Sequence, residues 1–232
     1  MAGELILIVD DTPVNLKLVG LWLANEGYQT LTAGSAEDAL EILGRQHPAL
    51  VLADLKMPGM DGLEMTRRIK GAADNADIGV IALTASDSRA DLQRTLEAGC
   101  DGYLTKPIAR PALMARIREF LEGRAGGGSR TVAAVPAPIP AAQMRALRRR
   151  FLDEGVEGVR EFMAKLEGGF PTDEAARSMH QWIGTGGMLG YAAISRLAAE
   201  AEAVLAARPA DNARLRELLG ELAAEFEDSA GE

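Results

Sequence analysis

Cysteine, histidine and aromatic side chains are all scarce in this chain. The single cysteine excludes an internal disulfide or a multi-thiolate zinc site, and two histidines add little to metal chemistry. Aromatics make up 4% of the residues, so the cores must be built mainly from Leu, Ile, Val, Met and Ala. Positive charge is outweighed, leaving a formal net charge of -9. Nucleic-acid affinity rests on Lys and Arg neutralising phosphates, so no nucleic-acid partner is expected. No apolar run approaches the ~20 residues of a membrane span, and no basic leader precedes one. The expectation is a cytoplasmic protein with no membrane insertion.

The composition does support packed structure, with 47% hydrophobic and 25% charged residues over 232 positions. The stretch EGRAGGGSRTVAAVPAPIPAA, residues 122–142, can neither hold a helix nor pair as a strand. It reads as a linker with a flexible glycine half and a stiffer proline half. It separates a first domain, 1–121, from a second, 143–232.

In the first domain, short apolar runs alternate with amphipathic stretches. Leu5–Val9, Gln29–Ala33, Ala49–Ala53, Ile78–Leu83 and Gly102–Thr105 read as strands. The first, third and fourth are apolar on both alternating faces, as parallel strands covered on each side require. Leu16, Val19 and Leu23 mark one helix, and Leu113, Ile117, Phe120 and Leu121 another. Ser35 stands where an N-cap is wanted. This alternation predicts an α/β fold, a doubly wound five-stranded parallel sheet. No glycine-rich phosphate loop follows the first strand, which excludes dinucleotide and P-loop chemistry.

After the linker the strand signals stop. Five apolar stripes follow: Met144 to Phe151, Val156 to Leu166, Ala176 to Ile183, Ile194 to Leu205 and Leu215 to Phe226. Turn signals stand at residues 168–171 and 208–211. Each stripe is too narrow to stand alone, so an all-α antiparallel bundle is expected.

In doubly wound sheets the working groups gather beyond the carboxyl ends of the strands. Strand 1 runs into Asp10 and Asp11, strand 3 into Asp54, strand 4 into Thr84, and strand 5 into Lys106. Three neighbouring anions demand a cation. Oxygen-only ligands on loops suit Mg²⁺, which keeps phosphate company. Lys106 and Thr84 would then meet the other oxygens of a phosphoryl group passing to a carboxylate nucleophile.

The strings IVDD, DLKMPGMDG, ALTA and GYLTKP resemble the receiver domain of two-component response regulators over residues 4–121. The resemblance implies a flavodoxin-like fold with Asp54 as phosphoacceptor. It implies Asp10, Asp11, Asp54 and the backbone carbonyl of Lys56 around Mg²⁺, with Thr84 and Lys106 on the phosphoryl group. Tyr103 matches the aromatic that swings inward on phosphorylation, and the small Ala85 leaves room for a phosphodonor. Lys56 and Ser86 match positions that tune acyl phosphate lifetime, and Thr84, Tyr103 and residues 86–92 would carry the response. Cys100 reads as a small buried side chain and His47 as a loop residue.

In the second domain, His180 lies within SMHQWIGTGGMLG. Phosphoryl acceptance on an imidazole requires an exposed ring on a flat surface where a receiver can dock. Gly184, Gly186 and Gly187 follow, each costing a helix about 1 kcal/mol relative to alanine. Close approach by a partner would justify them; alternatively, GTGG ends the helix. The string resembles the histidine phosphotransfer (HPt) motif through His180, Gly184, Thr185, Leu189 and Gly190. Ile183 stands where that family typically carries lysine, and Arg177, three residues before His180, is the candidate substitute.

Together these resemblances imply a phosphoryl acceptor and transfer protein without its own kinase domain, a component of a two-component phosphorelay. Its partners would be a separate histidine kinase and other receiver or HPt proteins. In one reading phosphate moves through Asp54 and His180. In the other, Asp54 phosphorylation switches a non-transferring bundle that acts as a binding module. A linker of about 20 residues spans roughly 25 Å as a coil, so transfer within one molecule is within reach.

Overall fold

The computed structural model describes residues 3–85, 88–124, 140–166, 170–207 and 211–231. Its internal contacts divide the chain after Ile139 into two units.

The first unit is a five-stranded parallel sheet. Its strands are β1 (Leu5–Val9), β2 (Gln29–Ala33), β3 (Leu50–Asp54), β4 (Gly79–Thr84) and β5 (Gly102–Thr105), in the order β2-β1-β3-β4-β5. All four pairings are parallel, with Val9 opposite Ala53, Ala53 opposite Ala82 and Thr84 opposite Thr105. The helices between them are α1 (Pro13–Asn25), α2 (Ala36–Leu43), α3 (Gly62–Gly71) and α4 (Arg89–Glu97), with α5 (Arg110–Arg124) after β5.

Because side chains alternate along a strand, the three central strands supply two apolar surfaces. Leu7, Val9, Val51, Ala53, Val80 and Ala82 form one core with Ala36, Ala39 and Leu43 of α2 and Met65 and Ile69 of α3. Ile6, Ile8, Leu50, Leu52, Ile81 and Leu83 alternate with them and are equally buried. Gly79 exists for a packing reason: a Cβ there would lie 2.1 Å from the ring of Phe120.

Strands β3 and β4 each run one residue later than their apolar runs suggest, because the polar Asp54 and Thr84 still pair in the sheet. The buried stripe of α1 also differs from the expected one. Val14, Asn15, Leu18, Val19, Trp22 and Leu23 face inward, and Leu16 is only partly covered. Side chains start three of the unit's helices: Ser35 accepts from the Asp38 N–H at 3.1 Å, Asp61 from the Glu64 N–H at 2.7 Å, and Ser88 from the Asp91 N–H at 3.1 Å.

Among the described residues the second unit has four helices: α6 (Ala141–Lys165), α7 (Thr172–Leu189), α8 (Ala192–Ala206) and α9 (Asn212–Gly231). The first two apolar stripes belong to one helix, α6, in which Leu147, Phe151, Leu152, Gly155, Val159 and Phe162 are buried. Met163, expected in the core, is 39% exposed. Gly155 keeps this helix continuous at a crowded point, since a Cβ would sit 2.1 Å from Phe226. Phe226 in turn meets Trp182 edge-on, with ring centroids 5.2 Å apart, and Phe151 at 5.5 Å. Few aromatics are needed because they converge on one place.

Of the expected linker, residues 122–124 form the last turn of α5 and 141–142 open α6; residues 125–139 lie outside the described residues. Of the two expected bundle turns, residues 168–169 and 208–210 lie outside them too, as does Ser86.

Candidate functional site

The carboxyl ends of β1, β3, β4 and β5 bring the predicted receiver residues together. Asp10 follows β1, Asp54 closes β3, Thr84 closes β4 and Lys106 follows β5. Asp10, Asp11 and Asp54 each offer a carboxylate oxygen within 4.8 Å of the others. Asp10 and Asp54 are both 2% exposed, so water screens little of their repulsion. Lys106 answers it, with Nζ 2.6 Å from Asp54 Oδ2 and 3.7 Å from Asp10 Oδ2.

The backbone holds each group in place. The Lys56 N–H donates to Asp54 Oδ1 at 3.1 Å, and the Thr12 N–H to Asp10 Oδ1 at 2.9 Å. The Thr12 hydroxyl donates to Asp11 Oδ1 at 3.3 Å. Thr84, buried like the carboxylates, is tied to β5 through its carbonyl, which accepts from the Lys106 N–H at 2.6 Å. Tyr103 faces outward, 36% exposed, so its position is that of an aromatic turned away from the site.

Burial pushes the Asp10 carboxyl up to about 6. The Lys106 charge pulls it down, the Asp54 charge raises it further, and hydrogen bonds from Thr12 and Asn15 lower it. Lys106 shifts upward: burial disfavours its charge, but Asp54 and Asp10 outweigh burial together. The arrangement is a buried ammonium beside two buried carboxylates, with a third carboxylate, Asp11, in the same cluster.

Asn15 was not visible as a site residue. It lies in α1 on the same stripe as Leu18, Val19 and Trp22, yet it is polar and 1% exposed. Its Nδ2 donates to Asp10 Oδ1 at 3.1 Å and to Oδ2 at 3.0 Å. The usable signal was the amide itself, since a polar side chain on a core stripe requires a partner.

In the second unit, His180 departs from expectation. The ring is buried, with the residue only 6% exposed, where transfer chemistry calls for an exposed one. Its Nδ1 lies 3.2 Å from Glu202 Oε1 of α8, while Nε2 is buried with no hydrogen-bond partner among the described residues. Arg177 is exposed and lines a hollow with Pro171, Asp173, Glu174 and Leu205. The group placed on the imidazole is therefore Glu202, which the sequence reading missed. Its signal was its position four residues after the buried Ala198 and three before the buried Leu205.

The glycine run does not end the helix. α7 continues through it to Leu189, and Gly190 terminates it in the left-handed region, φ 96°. Nor is an outside partner required at Gly186, where a Cβ would crowd the Tyr191 carbonyl at 3.3 Å and the Ser195 nitrogen at 3.4 Å. Ser195 also donates its hydroxyl to the Ile183 carbonyl at 2.5 Å, binding α8 to α7. Ile183, at the expected lysine position, is buried.

Cys100 is buried beside the Thr66 hydroxyl, at 3.7 Å. His47 is exposed in a loop, with Nε2 3.1 Å from Asp77. Among the described residues no helix is long and apolar enough to cross a membrane.

Two family models match the chain, a response regulator receiver domain over residues 6–118 and an Hpt domain over 146–231. The polar-differentiation response regulator DivK of Brucella ovis is 34% identical over 116 residues, covering 50% of this chain and 94% of that protein. The response regulator PleD of Caulobacter vibrioides is 40% identical over 115 residues, 50% of this chain and 25% of that protein. Among solved structures, the receiver domain of a signal transduction histidine kinase from Syntrophus aciditrophicus is 34% identical with a TM-score of 0.51. It covers 57% of this chain and is itself matched over its full length. A CheY-like receiver domain from Methanospirillum hungatei gives a TM-score of 0.51 at 29% identity, over 54% of this chain and 99% of its own.

Proposed function

The chain belongs to the two-component response regulators, with an Hpt domain following its receiver domain, and on that premise we propose that Asp54 accepts a phosphoryl group and His180 exchanges one. The observation that carries the reading is the pairing of Asp54 with Lys106 at 2.6 Å inside a cluster of two further carboxylates.

An Asp54 oxygen attacks the phosphorus of a phosphohistidine on a partner protein. The P–N bond breaks, and the departing imidazole keeps the electron pair and takes a proton. Asp54 is a weak nucleophile made effective by position, since the strand end and the Lys56 N–H fix it. Lys106 releases its grip on the carboxylate as negative charge moves to the phosphoryl oxygens, and follows that charge. The Thr84 hydroxyl stands at the end of the adjacent strand to donate to another of those oxygens.

The donor set fits a divalent cation: three carboxylates with oxygens within 4.8 Å of one another, two of them buried, and one lysine facing them. Mg²⁺ would be held there by Asp10, Asp11, Asp54 and the Lys56 carbonyl. Bound there, Mg²⁺ supplies the positive charge that offsets the phosphoryl oxygens.

In the Hpt unit, the Nδ1–H donates to Glu202, which leaves the lone pair on Nε2. Exchange on this reading requires that nitrogen, buried here, to come to the surface; it then takes phosphorus from an aspartyl phosphate, the O–P bond breaks, and the carboxylate is regenerated. Glu202 then faces the positive charge left on the ring. The partners on this reading are a separate histidine kinase and receiver or HPt proteins.

A second reading has its own observation. The burial of His180 and of Ile183 suits a bundle that binds without transferring, switched by Asp54. Purified phospho-receiver mixed with the full chain separates the two. Label reaching wild type but not His180→Gln supports exchange, and equal label on both supports the binding module. At the receiver, Asp54→Asn is expected to abolish labelling, whereas Thr84→Ala keeps labelling and weakens the response.

A further inference from the structure

We propose that Asn15 makes Asp10 a single-point ligand and thereby selects Mg²⁺ over Ca²⁺ at the acidic cluster. The proposal rests on the reading of that cluster as a divalent-cation site. A carboxylate offers about four acceptor positions on its two oxygens. On Asp10, Oδ1 already accepts twice, from the Thr12 N–H at 2.9 Å and from Asn15 Nδ2 at 3.1 Å. Oδ2 accepts once, from the same amide at 3.0 Å. Oδ2 keeps acceptor capacity for one more partner; Lys106 Nζ lies 3.7 Å from it and 2.6 Å from Asp54 Oδ2. The amide sits across the bite of the carboxylate, on the edge a large ion would use to take both oxygens.

The two ions differ in what they ask of such a ligand. Ca²⁺ takes about six to eight oxygens at long range and readily uses both oxygens of one carboxylate. Mg²⁺ holds six at about 2.0–2.1 Å in an octahedron and takes carboxylates one oxygen at a time. An Asp10 limited to one oxygen removes a ligand that Ca²⁺ would use and costs Mg²⁺ none. The amide is suited to this because it is neutral: a charged donor in its place would compete with the ion. It is also rigidly presented, on a helix whose neighbouring Leu18, Val19 and Trp22 are buried. Asn15 is thus a positioning residue, acting on the ion through Asp10.

The test is titration calorimetry of Mg²⁺ and Ca²⁺, separately, into the full chain and its Asn15→Leu and Asn15→Ser variants, each checked for native circular dichroism. Wild type is expected to prefer Mg²⁺. Loss of an outer partner of a metal ligand weakens binding about 10–100-fold, and Asn15→Leu should lose that much Mg²⁺ affinity while Ca²⁺ affinity holds or rises. The Mg²⁺-to-Ca²⁺ affinity ratio should therefore fall at least about tenfold. Asn15→Ser keeps a small donor and should fall between; it carries the same ratio test if leucine disturbs folding. Equal loss for both ions with the ratio unchanged, or a wild type that prefers Ca²⁺, overturns the proposal and leaves the cluster a cation site. A wild type that takes up neither ion overturns the cation reading beneath it.

Discussion

Replacing Lys106 by methionine removes the ammonium that faces both buried carboxylates while keeping much of its apolar stem. Asp54 loses a partner at 2.6 Å and Asp10 one at 3.7 Å, with the side chains of all three residues 3% exposed or less. Leaving a buried ion pair with one partner missing costs about 3–5 kcal/mol. Whole domains are stable by only about 5–15 kcal/mol, so at the middle of both ranges the receiver unit should lose roughly four-tenths of its stability to urea. Two rescues follow from the same geometry. Adding Asp54→Asn to Lys106→Met removes one of the uncompensated charges and should recover much of the loss. Mg²⁺ at 100 times its dissociation constant should return about 2.7 kcal/mol, since it binds the folded cluster alone. The assay is urea unfolding followed by hydrogen exchange on receiver peptides, because the two units need not unfold together. If Lys106→Met unfolds at the wild-type urea concentration without Mg²⁺, the cluster is not held by this ion pair and the electrostatic argument fails.

Other consequences can be measured alongside. With the Asp10 carboxyl at about 6, Mg²⁺ affinity should decline as pH falls through 6, about two units above an ordinary aspartate; calorimetry at pH 5, 6 and 7 checks this. Without Mg²⁺ the sign for stability is opposite. Between about 4 and 6 the folded state holds a proton on Asp10 that the unfolded chain has lost, so the Asp10 contribution to stability grows as pH falls. Glu202→Gln should slow phosphoryl exchange at His180 about 10- to 150-fold, the worth of a hydrogen bond to a charged group, and an unchanged rate in rapid-quench assays would count against its role. Gly155→Ala puts a Cβ 2.1 Å from Phe226 and should cost the bundle about 1–3 kcal/mol, read as a lower urea midpoint.

Much of the receiver unit was legible because its central strands are apolar on both faces, a pattern that leaves few alternatives. The cluster was legible because its members sit at strand ends, where the sheet itself fixes their meeting. Other features depend on which face a residue takes. The phase of α1 was misread at Leu16, since Leu16 and Leu18 are equally apolar and only packing chooses between them. The two stripes of α6 form one helix through Gly155 and Gly158, where Phe226 and Trp182 take the space a side chain would fill. Asn15 and Glu202 were missed for a shared reason: each is polar at a buried or half-buried position, and its partner lies on another element. His180 could be named from its motif, but its burial depends on how α7 meets α8.

The most direct measurement is the chemical stability and position of the phosphate on the full chain after incubation with labelled acetyl phosphate and Mg²⁺. A label that is lost in base, maps to Asp54 and disappears when Mg²⁺ is chelated is the predicted result. A label on any other aspartate, or on Asp54 at the same rate without a divalent cation, would contradict the account.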